Sequence, residues 1–291
     1  MLNIAILTSD PSNYSNRRMM SAGKDLGHNV YPLLTYNQII PAHGKVYLSK
    51  LDPIPDAVIP RIGVSLSDFG QHLINIFESA NIPITVSSYG FTNSRNKFLA
   101  SQLFSKRGLA IPKTALFTNQ DNLNEAVRSI GGYPFIIKKI KGTQGDTVSL
   151  ISDISAAKEI TSKYIFERQP FLIQEFIKDS EGSDIRCFVI GKNVIAAMKR
   201  TAKFGDFRSN IHAGGRGSIT EITNEERKMA IDATNFLNLP IAGVDILRSK
   251  NGPKLLEVNS SSGLEEIEKI TNINIAHEII SFVEKMVQYN E

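Results

Sequence analysis

The sequence predicts a parallel α/β domain followed by an α+β region, and three observations carry that fold class. Short apolar strands alternate with helical stretches over the first ninety or so residues, as in a parallel layered sheet. From Ile111 onward, turn residues join neighbouring apolar runs, which is antiparallel character. Near the end, AGVDILRSKNGPKLLEVNSSSG (Ala242 to Gly263) reads as a β-hairpin with carboxylates inside it.

Taken in order, Asn3–Thr8 is a short apolar strand, and Asp10–Ser12 supplies turn and cap residues. Asn16–Leu26 has helical spacing and ends at Gly27. Asn29–Leu34 is a second strand. A third strand in DAVIPRI, from Asp56, stops at Pro60. Ser67–Ala80 is an amphipathic helix and Ile84–Ser87 a further strand. No G-x-G-x-x-G follows the first strand, so a dinucleotide is not indicated.

Asn93–Arg107 reads as one helix with an Asn or Ser cap, ended by Gly108. Strand Thr114–Phe117, helix Asp121–Ile130 and strand Phe135–Ile140 follow. The glycine-containing loop Lys141–Thr147 leads to strand Val148–Ile151, helix Ile154–Ile165 and strand Phe171–Phe176. Strands Asp184–Ile190 and Val194–Thr201 flank the turn at Gly191. A polar loop from Lys203 to Gly217 and helix Asn224–Leu237 precede the hairpin, and helix Ile275–Tyr289 ends the chain.

The chain has 291 residues, 42% hydrophobic and 21% charged, which is enough for a large core or several smaller ones. A net charge of +4 is mild and evenly spread, and Trp is absent, so direct nucleic-acid binding is not expected. The single cysteine, Cys187, lies in an apolar run, which suits a buried strand thiol and a reducing cytoplasm. The N-terminus lacks a signal-peptide pattern, and no run approaches the ~18 apolar residues of a membrane span.

The hairpin is where chemistry concentrates. Gly243–Ser249 and Pro253–Val258 are joined by Lys250-Asn251-Gly252, a strong turn signal that sets Asp245 opposite Glu257. Asn259, two residues on, shares the face of Glu257 because strand side chains alternate. Two carboxylates and an amide oxygen outline a hard-cation site, although an ordinary hairpin with two solvated acids has the same spacing.

Upstream, Lys138 and Lys139 occupy an apolar strand, so one of them points inward and needs an anion partner, unless both snorkel at a strand edge. The loop Gly142–Gly145 has the freedom to bring backbone N–H groups to phosphate, or is a plain turn. Gln174-Glu175-Phe176-Ile177 ends a strand as an adenine-binding hinge would, or simply as a strand terminus. Arg200, Arg208 and Asn210 cluster just before the acidic hairpin, and arginine's planar fork suits phosphate or carboxylate. Lys97, Lys138 and Arg200 gathered with the acidic pair would neutralise a triphosphate. No Ser-His-Asp order, HExxH or CxxC competes.

With these parts placed, the chain resembles the RimK-type α-L-glutamate ligases of the ATP-grasp superfamily nearly end to end. The resemblance rests on AVIPRIG (Ala57–Gly63), KGTQG (Lys141–Gly145), QEFIK (Gln174–Lys178) and DIRCFVIG (Asp184–Gly191). It continues in KFGDFRSNIHAGG (Lys203–Gly215), AGVDILR (Ala242–Arg248) and LEVNSSSGLEEIE (Leu256–Glu268). It implies an N-terminal α/β domain over 1–92 and an ATP-grasp domain over 93–291, made of subdomains 93–175 and 176–291.

By motif position, the resemblance implies that Lys97 and Lys138 hold phosphates of ATP and that Glu175 and Phe176 line the adenine hinge. Asp184 would meet the ribose; Arg208, Ser209 and Asn210 would contact ATP. Asp245, Glu257 and Asn259 would hold Mg²⁺, with Mn²⁺ as an alternative ion, and Arg200 would stabilise phosphate charge during transfer. The implied reaction joins L-glutamate to the C-terminal carboxylate of an acidic peptide or ribosomal protein tail, or makes poly-α-glutamate, through an acyl phosphate. A cytoplasmic homo-oligomer, a tetramer by resemblance, is implied as well. Alternatives are a ligase for another amino acid or small peptide, a non-catalytic ATP-binding regulator, and a phosphotransferase whose product keeps the phosphate.

The chain departs from the family pattern in places. Asp146 and Thr147 follow Gly145 where an apolar residue and Gly are usual, and Asn96 stands where Asp commonly precedes the lysine. Ser262 replaces a Pro, Glu266 a Gly, and Ala213 an Arg, with Arg216 nearby. The last three lie where acceptor or donor docks in the family.

Overall fold

The computed structural model describes residues 1–36, 42, 47–140, 148–180, 182–209 and 214–289. Asn3–Thr8 (β1), Asn29–Leu34 (β2) and Ala57–Arg61 (β3) form a parallel sheet in the order β2-β1-β3. Ile84 adds only an isolated parallel bridge to Val58, so the strand expected at Ile84–Ser87 does not form. Ser87 instead caps the next helix, its Oγ accepting from Gly90 N at 3.0 Å. Tyr14–Asp25 (α1) follows β1, starting where the Asn13 side chain accepts from Ser15 N, and Ser67–Ser79 (α2) follows β3.

The single helix expected over Asn93–Arg107 is two helices, Ser88–Arg95 (α3) and Lys97–Lys106 (α4). Asn96 separates them with an extended backbone, and its side chain accepts from Leu99 N at 3.0 Å. An Asn side chain competes with helical backbone hydrogen bonds and restarts the helix as a cap. Lys97 thereby becomes the first residue of α4.

A second sheet is antiparallel, built from Thr114–Ala115 (β4), Phe135–Lys139 (β5), Val148–Ile151 (β6) and Phe171–Glu175 (β7) in the order β4-β7-β5-β6. Leu123–Ser129 (α5) and Ile154–Phe166 (α6) contribute to its core of Phe117, Leu123, Phe135, Ile137, Ala157, Phe171 and Ile173. Strand alternation sends Phe135 and Ile137 into that core, so Lys138 lies on the opposite face.

The third sheet holds Ser183–Ile190 (β8), Asn193–Thr201 (β9), Arg216–Ile219 (β10), Ile241–Ser249 (β11) and Gly252–Asn259 (β12), in the order β10-β9-β8-β11-β12. β10 begins within the polar loop expected up to Gly217. Its mostly exposed RGSI sequence has no apolar alternation to announce an edge strand. Asn224–Phe236 (α7) starts at a capping box of Thr223 and Glu226. A short helix, Glu265–Thr271 (α8), was not anticipated because its acid-rich sequence shows little periodicity, and Ile275–Gln288 (α9) closes the chain.

β1 ties the sheets together through alternation. Ala5 and Leu7 join one core with Phe77, Phe91, Val244, Ile246 and Leu255, while Ile4 and Ile6 join another with Phe188, Ile190, Ile279 and Val283. Each such buried aliphatic or aromatic side chain stabilises by roughly 1.5–3 kcal/mol, so the parallel sheet is anchored to the third sheet on both faces. No described helix is long and apolar enough to cross a membrane.

Candidate active site

The hairpin of β11 and β12 forms in the expected register. Asp245 pairs with Glu257 and Gly243 with Asn259, and the ladder shifts between Asp245 and Ile246. Gly252 ends the turn at φ +95°, the conformation that favours glycine. Asn259 Nδ2 lies 3.2 Å from Glu257 Oε1 and 3.4 Å from Asp245 Oδ2, so the three side chains converge.

Two arginines from the neighbouring strands close on Asp245. Arg186 of β8 pairs with it bidentately, through Nε and through Nη2 at 2.8 Å, and Arg200 Nη2 of β9 reaches Asp245 Oδ2 at 2.8 Å. Arg200 also donates Nε and Nη2 to the two oxygens of Asp184, each at 2.7 Å, and Ser209 Oγ donates to Asp184 Oδ2 at 2.5 Å. Asp184 is only 3% and Asp245 1% exposed. Burial raises the Asp184 pKa above its ordinary value. Burial opposes the charge on Arg200, but Asp245 and Asp184 outweigh it and hold the guanidinium above its ordinary value.

The second sheet and α4 bring the lysines. Lys97 Nζ sits 3.0 Å from Glu257 Oε2. This cation is the largest influence on Glu257, and with Lys138 it outweighs burial and holds the carboxyl well below the usual range. Lys138 is the inward member of its pair, 6% exposed. Its partner is not the anion expected but the amide Oε1 of Gln174, 2.8 Å from Nζ, and Gln174 Nε2 donates in turn to Thr114 Oγ1 at 2.8 Å. A neutral partner does not offset burial, so burial and then nearby Lys97 push the Lys138 pKa down to about 8, against a smaller opposing pull from Glu257.

Glu175 ends β7 where three segments meet: its Oε2 accepts from Lys113 N at 3.1 Å and from Lys254 Nζ of β12 at 2.9 Å. Phe176 packs edge-to-face on Phe207, with centroids 6.2 Å apart. Arg208 pairs with Asp206, Nη2 to Oδ2 at 2.8 Å. Asn210, the loop 141–147 and Ala213 lie outside the described residues.

Lys97, Lys138, Arg200, Asp184, Ser209, Asp245, Glu257 and Asn259 are thus linked by contacts or by direct charge influence, and Glu175 and Phe176 sit at a junction of both antiparallel sheets. Asp184 is engaged on both oxygens by Arg200 and Ser209, so in this structure it braces the arginine rather than facing an open cleft. Sequence reasoning missed Arg186, and it named Gln174 only at the strand end without its pairing to Lys138. Each shares a strand face with a residue already singled out: Arg186 is two residues from Asp184 on β8, and Gln174 is the cross-strand partner of Ile136, two residues before Lys138. Among the described residues no three His, Cys, Asp or Glu side chains gather, so the candidate metal donors are two carboxylates and an amide.

Comparison with known proteins finds two family models along the chain. Residues 2–91 match the RimK PreATP-grasp domain and residues 94–283 the RimK-like ATP-grasp domain. A probable alpha-L-glutamate ligase of Vibrio vulnificus (strain YJ016) is 41% identical over 293 residues, covering 99% of this chain and 97% of that protein. One of the same description from Legionella pneumophila (strain Paris) is 40% identical over 289 residues, covering 98% and 96%. Among solved structures, the ATP-grasp ligase PsnB complexed with a minimal precursor superimposes with a TM-score of 0.76 at 18% identity, covering 98% of this chain and 100% of that one. The D-alanine–D-alanine ligase of Bacillus anthracis gives 0.72 at 15% identity, covering 100% and 99%. At such identities these two likenesses show the fold, whereas the family models and the curated relatives span nearly the whole chain: it belongs to the RimK-like ATP-grasp family and is an ATP-dependent ligase.

Proposed function

We propose that this chain is an ATP- and Mg²⁺-dependent, ADP-forming carboxylate–amine ligase that adds L-glutamate to the C-terminal carboxylate of an acidic peptide or protein tail. The observation that carries the reading is one continuous set of charges across two sheets: Lys97 on Glu257, Arg200 on Asp184 and Asp245, and Lys138 close enough to Lys97 and Glu257 to feel both. Lys97, Lys138, Arg186 and Arg200 outnumber Asp184, Asp245 and Glu257 by one, which suits a polyphosphate brought in with its cation. The names of the curated relatives support glutamate as the amine.

The donor set fits Mg²⁺. Asp245, Glu257 and Asn259 offer hard oxygens from one hairpin face, and the Asn259 amide lies between the carboxylates, where a half-turn of the amide would present its oxygen. The bound ion would neutralise phosphate charge and align the terminal phosphoryl group.

The chain's own residues then position and stabilise. Lys97 and Lys138 hold phosphate oxygens, and the junction at Glu175 and Phe176 receives the base. Arg200, fixed by two buried carboxylates, faces charge that develops during transfer without having to reorganise. An acceptor carboxylate oxygen attacks the terminal phosphorus as its bond to ADP breaks, giving an acyl phosphate and ADP. The glutamate amine attacks the acyl carbon, phosphate departs with the carbon–oxygen bonding pair, and the nitrogen loses its proton to leave the amide. A carboxylate oxygen is a poor leaving group until phosphorylated, which is why both steps are needed.

The test is a coupled assay of ADP and phosphate release with ATP, Mg²⁺, a panel of amino acids and acidic peptides. Acceptor-dependent release of both products with glutamate preferred supports the reading. ATP binding without acceptor-dependent ADP across the panel identifies a regulator instead, and a phosphorylated final product identifies a phosphotransferase.

A further inference from the structure

Arg61 has no place in the site described so far. It is the last residue of β3, level with Thr8 of β1, at the carboxyl end of the parallel sheet, where open α/β sheets bind ligands. The segment that leaves the metal hairpin packs against this end. Arg61 Nη1 donates to Ser262 O at 2.7 Å, Ser261 Oγ approaches Pro60 O at 3.5 Å, and Leu264 N donates to Ser15 Oγ at 3.0 Å. Ser262 also accepts Arg186 Nη1 on its own Oγ at 2.6 Å, so one serine links Arg61 to the Arg186–Asp245 pair.

The two guanidinium groups differ in one respect. Arg186 has a carboxylate partner; Arg61 has only the Ser262 carbonyl among the described residues. Desolvation pushes the Arg61 pKa down to about 10, with no carboxylate acting against it. Arg61 is half-buried, so an anion can still reach it, and a partly desolvated cation with no carboxylate partner among the described residues gains from that anion. Arg61 is separated from Asp245 by Ser262 and Arg186, so an anion there stands away from the metal donors and from Arg200.

We propose that Arg61 binds a substrate carboxylate that is held for recognition and is not itself phosphorylated. This rests on the ligase reading, which supplies two sources of that chemistry: a carboxylate of the incoming glutamate, whose amine is the reacting group, or a carboxylate of the acceptor other than its reacting one.

Steady-state kinetics of Arg61→Met and Arg61→Lys, with glutamate against its α-amide and glutamine, and acceptor peptides against their side-chain amides, test it. Arg61→Met should raise the KM of one carboxylate substrate roughly ten- to a hundred-fold, with the KM of ATP little changed and Arg61→Lys partly restoring it. Replacing the recognised carboxylate by an amide should cost the parent enzyme that same factor and cost Arg61→Met nothing. A loss that follows glutamate identifies the donor as the source, and one that follows the peptide identifies the acceptor. Equal losses for carboxylate and amide substrates would show that Arg61 only braces Ser262, and unchanged KM values would equally overturn the proposal. If the parent enzyme forms no amide, the ligase reading fails separately; calorimetric titration with glutamate and with acidic peptide then decides, since equal affinities of parent and Arg61→Met for both would overturn the Arg61 site.

Discussion

Lys97 Nζ rests 3.0 Å from Glu257 Oε2, so the lysine assigned to phosphate and the acid assigned to Mg²⁺ hold each other in this structure. Nucleotide with its cation would separate them, each charge exchanging one partner for another. Glu257→Gln removes the proposed metal ligand but also frees Lys97. The variant should lose turnover by roughly a hundred-fold or more, bind Mg²⁺·ATP more weakly, and bind metal-free ATP at least as tightly as the parent. Fluorescence titration with and without chelator checks this; unchanged turnover would refute the metal assignment.

Lys138, proposed to hold phosphate, should make nucleotide binding depend on pH. Its pKa is about 8 against an ordinary 10.5, so the folded chain binds fewer protons than the unfolded chain between those values. Stability from this group therefore rises with pH across that window, and the charged form is disfavoured until a phosphate arrives. ATP affinity should fall as pH rises through about 8, and binding at about pH 8.5 should take up a proton. Calorimetry in buffers of different ionisation heat measures the uptake, which should vanish in Lys138→Met. Identical observed heats across the buffers in the parent would contradict the assignment.

Arg200 holds two buried carboxylates, so its loss should be structural as well as chemical. Arg200→Met leaves Asp184 and Asp245 less compensated and should cost about 3–5 kcal/mol in urea unfolding. Adding Asp184→Leu should recover part of that stability and none of the activity. Full recovery of activity in the double variant would remove Arg200 from the reaction.

Gly243 gives the hairpin room for the serine segment. A Cβ there would stand 2.7 Å from Ser262 Cβ and 3.2 Å from Arg186 Cδ, and closer still to Ser262 Oγ. Gly243→Ala should displace Ser262 and raise the KM of the acceptor or glutamate more than that of ATP. Ser262→Gly in the same chain should relieve the clash and return KM toward the parent value; no change in either variant would separate this segment from substrate binding.

The hairpin was legible from sequence because a period-two pattern and an Asn-Gly turn together set its register, and Asp245 opposite Glu257 follows from local rules alone. That one of Lys138 and Lys139 turns inward was legible for the same reason, and the fold selects Lys138. Its partner was not: Gln174 lies on another strand, 36 residues away, and no local pattern specifies that pairing. Arg186 and Asp245 likewise meet only because β8 and β11 become neighbours across 59 residues. The break at Asn96 was missed because one capping side chain outweighed a continuous helical composition, and β10 because an exposed edge strand carries no apolar alternation. Arg61 lay in plain view within AVIPRIG, but its lack of a carboxylate partner among the described residues is a property of the folded chain.

The most direct measurement follows oxygen from an acceptor peptide whose C-terminal carboxylate is labelled with heavy oxygen. Turnover with ATP, Mg²⁺ and glutamate should place one labelled oxygen in the released phosphate and leave the other in the new amide, as an acyl phosphate requires. Amide formation with no label in the phosphate would contradict the account.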